Sequence, residues 1–286
     1  MHAKPFELVL PAERTSRLVF ASPHSGRSYA AAFLAASVLD ERTIRSSEDA
    51  FVDILFGAAP RFGAPFLKAL APRAYVDLNR SRDELDPAVI VGARASHANP
   101  RISSGLGVIP RVVANGRAIY RGKISRAEAE RRLDAVWQPY HDCLEALLAR
   151  SRADFGETVL IDCHSMPHEA IDAFGLGGGR CPDIVLGDRF GSAAGADIVD
   201  RIETAFRAVG FQVARNAPFA GAYSTQHYGR PSRGQHAVQI EIDRALYMDE
   251  KAIRTNRQFD EIRTLITQAI AQIARDNSGD LGLAAE

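Results

Sequence analysis

The sequence predicts a three-layer α/β/α sandwich, with a mostly parallel or mixed central sheet covered by helices on both faces. Three observations predict it. Short apolar runs bounded by turn residues alternate with longer stretches of helical periodicity, the pattern of a sheet buried between helices. The chain has 286 residues, 46% hydrophobic and 24% charged, enough for one sizeable core. It shows no internal repeat and no Pro/Gly/Ser-rich linker, so residues 1–286 read as a single domain.

Strands are expected at "RLVFASP" from Arg17, "PFLKAL" from Pro65, "AYVDLN" from Ala74, "ETVLIDCH" from Glu157, "DIVLGD" from Asp183, "FQVARN" from Phe211 and "HAVQIEID" from His236. Helices are expected at "SEDAFVDILFGAAPRF", "SRAEAERRLDAVWQPYHDCLEALLARSR", "SAAGADIVDRIETAFRAVG" and "KAIRTNRQFDEIRTLITQAIAQIARD". Ser46 or Ser47 would cap the first of these, and Ser125, with Glu128 three residues on, the second. The stretch from Ser81 to Gly122 is rich in Gly, Pro and Arg and weakly periodic, which suits a functional loop. The tail from residue 276 reads as frayed.

Charge and cysteine usage narrow the function. Lys+Arg and Asp+Glu are equal at 35 each, so no basic surplus favours nucleic acid as a partner. Cys143, Cys163 and Cys181 have no CxxC spacing, which leaves neither a disulfide framework nor a Cys-rich zinc site. No run of ~18 apolar residues suggests a membrane span. The N-terminal stretch lacks the apolar core of a signal peptide, so a cytoplasmic location is expected.

Ligands of open α/β sheets bind outside the carboxyl ends of the strands. The polar residues expected there are His24 in "FASPHSG", Asn79 and Arg80 in "YVDLNR", Asp162 and His164 in "LIDCHS", and Glu241 and Asp243 in "QIEID". Asp49 joins them from the first turn of the helix expected after the His24 loop. Two histidines and a carboxylate form a zinc set with a position left for water. His24, His164 and Asp49, or its neighbour Glu48, would fill it. Glu241 would be the general base, and Asn79 and Arg80 would hold a substrate carboxylate, the arginine bidentately.

Each residue also has a structural reading. A strand-end histidine is often just a satisfied polar group, and Asp49 would suit the first turn of a helix. Glu241 lies in a strongly apolar strand, where an unpaired carboxylate is costly; a buried ion pair with an arginine would answer that cost. Cys163 neighbours His164 and so faces the opposite side of its strand, toward the core. Other chemistries lack their patterns. There is no HExxH, and Pro167 disfavours a helix carrying His164 and His168. There is no GxSxG elbow, and "FGLGGGR" from Phe174 matches no phosphate-binding loop and reads as a flexible turn near the site.

The motifs "SPHSG", "SEDAFVD", "RAYVDLNR", "DCHSMP" and "HYGRPSRGQHAVQIEIDRALYM", spanning Ser22 to Met248, resemble the N-formylglutamate amidohydrolase family. That family is similar, at greater distance, to zinc carboxypeptidases and to the aspartoacylase and succinylglutamate desuccinylase group. The resemblance implies their zinc-hydrolase fold and hydrolysis of a small anionic N-acyl amino acid, N-formyl-L-glutamate, with Zn2+ or another divalent metal. It implies His24 and His164 as metal ligands, Glu241 as the catalytic glutamate and Asn79-Arg80 as the carboxylate grip. In the distant relatives the carboxylate ligand follows the first histidine by three residues. Arg27 stands there in this chain, so the later acidic block supplies it, as Asp49. A dianionic substrate needs a second cationic anchor, for which Arg111, Arg230 and Arg233 are candidates. Tyr223 and His227 would line the pocket. Histidine breakdown is the pathway that the resemblance implies; the alternatives are a hydrolase of the same fold for another N-acyl amino acid or short peptide, and a catalytically silent metal-binding scaffold.

Overall fold

The computed structural model describes residues 4–94, 99–172 and 181–276. Seven strands form one mixed sheet in the order β1-β3-β2-β4-β7-β5-β6: β1 Phe6–Val9, β2 Leu18–Ser22, β3 Phe66–Ala69, β4 Thr158–Met166, β5 Ile184–Gly187, β6 Val213–Arg215 and β7 Gln235–Asp243. The central strands β3, β2, β4 and β7 run parallel. At the edges β1 is antiparallel to β3, and β5 is antiparallel to β7. Both faces are covered. Alternate residues of β4 and β7 divide between two buried clusters, as the two-residue period of a strand requires. Val159, Ile161, Cys163, Val238, Ile240 and Ile242 pack against helices Ala196–Ala208 and Phe259–Asp276. Leu160 and Ala237 face the other way, toward Leu133, Trp137, Tyr140, Leu144 and Leu148 of the long helical stretch.

That stretch opens with Arg126–Arg132, capped by Ser125, whose hydroxyl accepts from the Glu128 N–H at 3.1 Å. It continues through a π-type segment, Leu133–Trp137, into Gln138–Phe155. Pro139 cannot donate to the turn before it, and the widened turn accommodates the missing bond. The helix also grips the loop that carries the site. The Trp137 indole donates to the Arg80 carbonyl at 2.9 Å, and His141 Nε2 lies 3.0 Å from the Leu78 carbonyl. Burial pushes the His141 pKa down to about 3, so its imidazole is neutral in this position.

Three expectations are corrected. "AYVDLN" is not a strand: Tyr75 and Val76 donate to the Pro72 carbonyl, and Asp77 to that of Val108. Val76 and Leu78 are buried in the second cluster, so the alternation marks core contact by a looped segment. The helix expected from Ser47 is broken. Only Val52–Leu55 is α-helical, followed by a 3-10 turn at Ala59–Phe62. Phe51 precedes it at φ 68, a left-handed conformation that no helix tolerates. Ser46 and Ser47 therefore cap nothing, and Asp49 lies outside any helical turn. The last helix is shorter than expected: residues 251–258 form turns and the short strand Arg254–Thr255, and the helix runs from Phe259 to Asp276. β1, the short strand Met248–Asp249 and the helix Tyr223–Tyr228 carry too little periodicity to be read from sequence. "FGLGGGR" and the tail after Asp276 lie outside the described residues. Among the described residues no helix is long and apolar enough to cross a membrane.

Candidate active site

β4 and β7 are neighbours in register, with Asp162 opposite Gln239 and His164 opposite Glu241. All four side chains therefore rise on one face at the carboxyl end of the sheet. β2 delivers His24 to the same edge. The Asp49 N–H donates to the His24 carbonyl at 3.1 Å, so backbone alone ties the acidic segment to the histidine loop. His24, Asp49, His164, Glu241 and Asn79 are all buried.

Three donor atoms converge. His164 Nδ1 lies 2.9 Å from Asp49 Oδ2, and His24 Nδ1 lies 3.5 Å from the same oxygen. One ligand atom from each of the three residues falls within 4.8 Å of the others. The far nitrogens are engaged by carboxylates: His24 Nε2 with Asp77 Oδ1 at 2.7 Å, and His164 Nε2 with Asp162 Oδ2 at 3.1 Å. A carboxylate behind each imidazole holds the proton on Nε2 and turns the Nδ1 lone pair inward, as metal-binding histidines require. His24 Nδ1 is buried with no hydrogen-bond partner. A lone pair facing a carboxylate in a buried site is unfavourable unless a cation stands between them, so this donor set fits a divalent metal. Glu48, the alternative carboxylate, is spent on Arg45 at 3.0 and 3.1 Å.

The charges are held in place from behind. Arg244 donates to Asp49 Oδ1 at 2.9 Å, leaving Oδ2 for the histidines. Burial pushes the Asp49 carboxyl up, but the neighbouring His164, His24 and Arg73 hold it well below the usual carboxylate range. Asp77 is likewise raised by burial, yet His24, Arg80 and Arg73 keep it ionised. Glu241 differs. No salt bridge reaches it among the described residues, and its hydrogen-bond donor is the neutral Gln239 amide at 2.8 Å. Burial first, and then the Asp49 charge, push its pKa up to about 7, against the opposing pull of His164 and the arginines. The ion-pair reading of Glu241 does not hold, and its carboxyl can gain or lose a proton near neutrality.

These groups line a cavity of about 310 Å³ with Arg73, Arg80, Arg101 and Arg244 on its walls. Arg80 is held there by bonds to the carbonyls of Leu106 and Asn79. Asn79 also lines the cavity but spends its amide on protein. Its Nδ2 lies 3.1 Å from His164 Nε2 and 3.3 Å from Asp162 Oδ2, and its Oδ1 accepts from the Ser224 N–H. The other expected substrate contacts fall elsewhere. Arg111 donates to Asp86 at 3.0 Å and to the Ser103 carbonyl. Tyr223 turns away to stack on His227, with centroids 4.9 Å apart. His227, Arg230 and Arg233 line a separate groove against Glu145 and Arg152. Asp243, two residues beyond Glu241 at the end of β7, pairs with His168 at 2.8 Å.

Sequence reasoning missed Asp77, Arg73, Gln239, Arg244 and Arg101. Asp77 had a signal: a metal-binding histidine needs a carboxylate behind it, and "YVDLNR" offers one. Arg101 had only a coarse one: it lies in the aperiodic stretch expected to form a functional loop, where nothing sets it apart from its neighbours.

A family model for N-formylglutamate amidohydrolase matches residues 16–248. The chain is 32% identical over 239 residues to the N-formylglutamate deformylase of Pseudomonas aeruginosa, covering 82% of this chain and 83% of that one. It is 29% identical to the deformylase of Pseudomonas putida, with 84% and 85% covered. The crystal structure of N-formylglutamate amidohydrolase from Ralstonia eutropha JMP134 is similar at a TM-score of 0.89 and 35% identity, over 96% of this chain and 99% of that one. A structure from Agrobacterium tumefaciens shares the fold at a TM-score of 0.62 with 15% identity, over 95% and 96%. With its matched blocks running through every segment that builds the site, the chain belongs to the N-formylglutamate amidohydrolase family.

Proposed function

We propose that the chain is a metal-dependent amidohydrolase that cleaves N-formyl-L-glutamate, or a close N-acyl acidic amino acid, to the free acid and the amino acid. The observation that carries this reading is the inward convergence of His24 Nδ1, His164 Nδ1 and Asp49 Oδ2 beside Glu241. Those three residues would hold the ion. Zinc or another divalent metal supplies Lewis acidity and makes water acidic enough to attack an amide near neutral pH.

The protein's own residues do the rest. Glu241, with a carboxyl that titrates near neutrality, accepts the proton shed by the attacking water at Oε and returns it to the nitrogen of the departing amino acid. Arg80, backed by two carbonyls and buried beside Asn79, binds the substrate's α-carboxylate. Asn79 holds the 222–224 segment and the His164–Asp162 pair in place. Support for the substrate comes from the family and from a cavity walled by arginines.

Formate release from N-formyl-L-glutamate by zinc-loaded protein, with and without a chelator, tests this. Formate that disappears on chelation and returns with metal is the expected result. Formate release indifferent to chelation overturns the metal dependence, and bound zinc without formate overturns the substrate.

A further inference from the structure

Four guanidinium groups line the cavity, but they are not equivalent. Arg73 is neutralised by Asp77 at 3.0 Å and Asp49 at 3.6 Å, and Arg244 by Asp49 at 2.9 Å. Arg80 and Arg101 have no salt bridge among the described residues. Arg80 meets only neutral carbonyls, of Leu106 at 2.9 Å and Asn79 at 2.7 Å. Their segments are also joined. The Leu106 N–H donates to the Arg101 carbonyl at 2.8 Å, while the Leu106 carbonyl accepts from Arg80 Nε. Leu106 thus ties the Arg80 guanidinium to the backbone of Arg101.

The segment carrying Arg101 is built rather than loose. Asn99 caps the short helix Pro100–Ser103 by accepting from the Arg101 N–H at 2.9 Å, and its amide donates to Glu84. Arg111 anchors the other end, bound to Asp86 and to the Ser103 carbonyl, with its guanidinium packed against Gly105 at φ 79. A side chain at position 105 would meet that guanidinium at 3.1 Å. Two cations without a salt bridge, facing one cavity, repel each other. Burial, followed by the charges of Arg73 and Arg101, lowers the Arg80 pKa against the pull of Asp77. The arrangement is relieved by a ligand with two anionic groups.

We infer that Arg101 reads the side-chain carboxylate of the substrate and so selects acidic N-acyl amino acids, while Arg80 takes the α-carboxylate they all share. This rests on the reaction proposed above. The assignment follows depth. Arg80 is buried beside Asn79, which touches His164, so it lies next to the reacting amide, and the α-carboxylate is one carbon from the amide nitrogen. Arg101 is only partly buried, on the loop across Leu106, where the far end of a longer side chain arrives.

The test compares kcat/KM for N-formyl-L-glutamate and its neutral isostere N-formyl-L-glutamine, in the metal-loaded wild type and in Arg101→Gln. The glutamate preference of the wild type should fall about 10- to 100-fold in the variant, through KM for the acidic substrate, with glutamine turnover unchanged. Arg101→Lys should restore part of the preference. An unchanged preference, or equal losses on both substrates, overturns the inference while leaving the reaction standing. A wild type inactive on N-formyl-L-glutamate overturns the proposed reaction and this inference with it.

Discussion

Glu241 and Asp77 show how one carboxylate can serve as an acid–base group and another as a prop. Glu241 is buried beside a neutral amide, and its pKa rises to about 7. Asp77 is buried against His24 and Arg73, and it stays charged. Glu241→Gln keeps the shape and removes the proton acceptor. It should cut kcat by about 10²- to 10⁴-fold with metal content unchanged by elemental analysis; near-normal turnover would strip Glu241 of its proposed role. Asp77→Asn removes the charge behind His24 and should weaken metal affinity by about 10- to 100-fold in competition with a chelator. An unchanged affinity would mean that His24 needs no such partner.

The elements divide the work between support and delivery. β4 and β7 deliver side chains because they are parallel, adjacent and in register. A slip of one residue would exchange His164 for Cys163 on the site face. The helical stretch from Arg126 to Phe155 delivers nothing to the cavity walls but holds the 78–80 loop through Trp137 and His141. Ser125→Ala removes its cap and should cost about 0.5–2 kcal/mol in urea denaturation, with kcat at saturating metal unchanged. A loss of activity without loss of stability would place Ser125 in the chemistry instead.

Across the molecule, the site joins segments far apart in sequence: His24 and Asp77 are 53 residues apart, and Asp49 and His164 are 115. An ion bound among them ties these segments together only in the folded state. Metal at a hundredfold excess over its Kd should therefore add about 2.7 kcal/mol, and chelation should lower Tm by roughly 5–8 °C. His164→Ala should abolish that difference. Equal Tm values for metal-loaded and chelated wild type would argue against a folded-state metal site.

What the sequence determined is what local chemistry constrains. Continuous apolar runs that end in polar residues mark β2, β4 and β7 and the groups in or just after them, His24, His164 and Glu241, because a buried ionisable group needs a partner or a ligand. The family motifs follow from the same residues. Tertiary structure decided what depends on partners. "AYVDLN" alternates like a strand, yet it is a loop, because Val76 and Leu78 answer to a core built by a distant helix. Arg111, Arg230 and Arg101 are alike as letters. Only the fold sets the first against Asp86, the second in an outer groove and the third, without an acidic partner among the described residues, on the wall of the site. Charge compensation is a property of space rather than of sequence, and it separates a structural arginine from one free to bind a substrate.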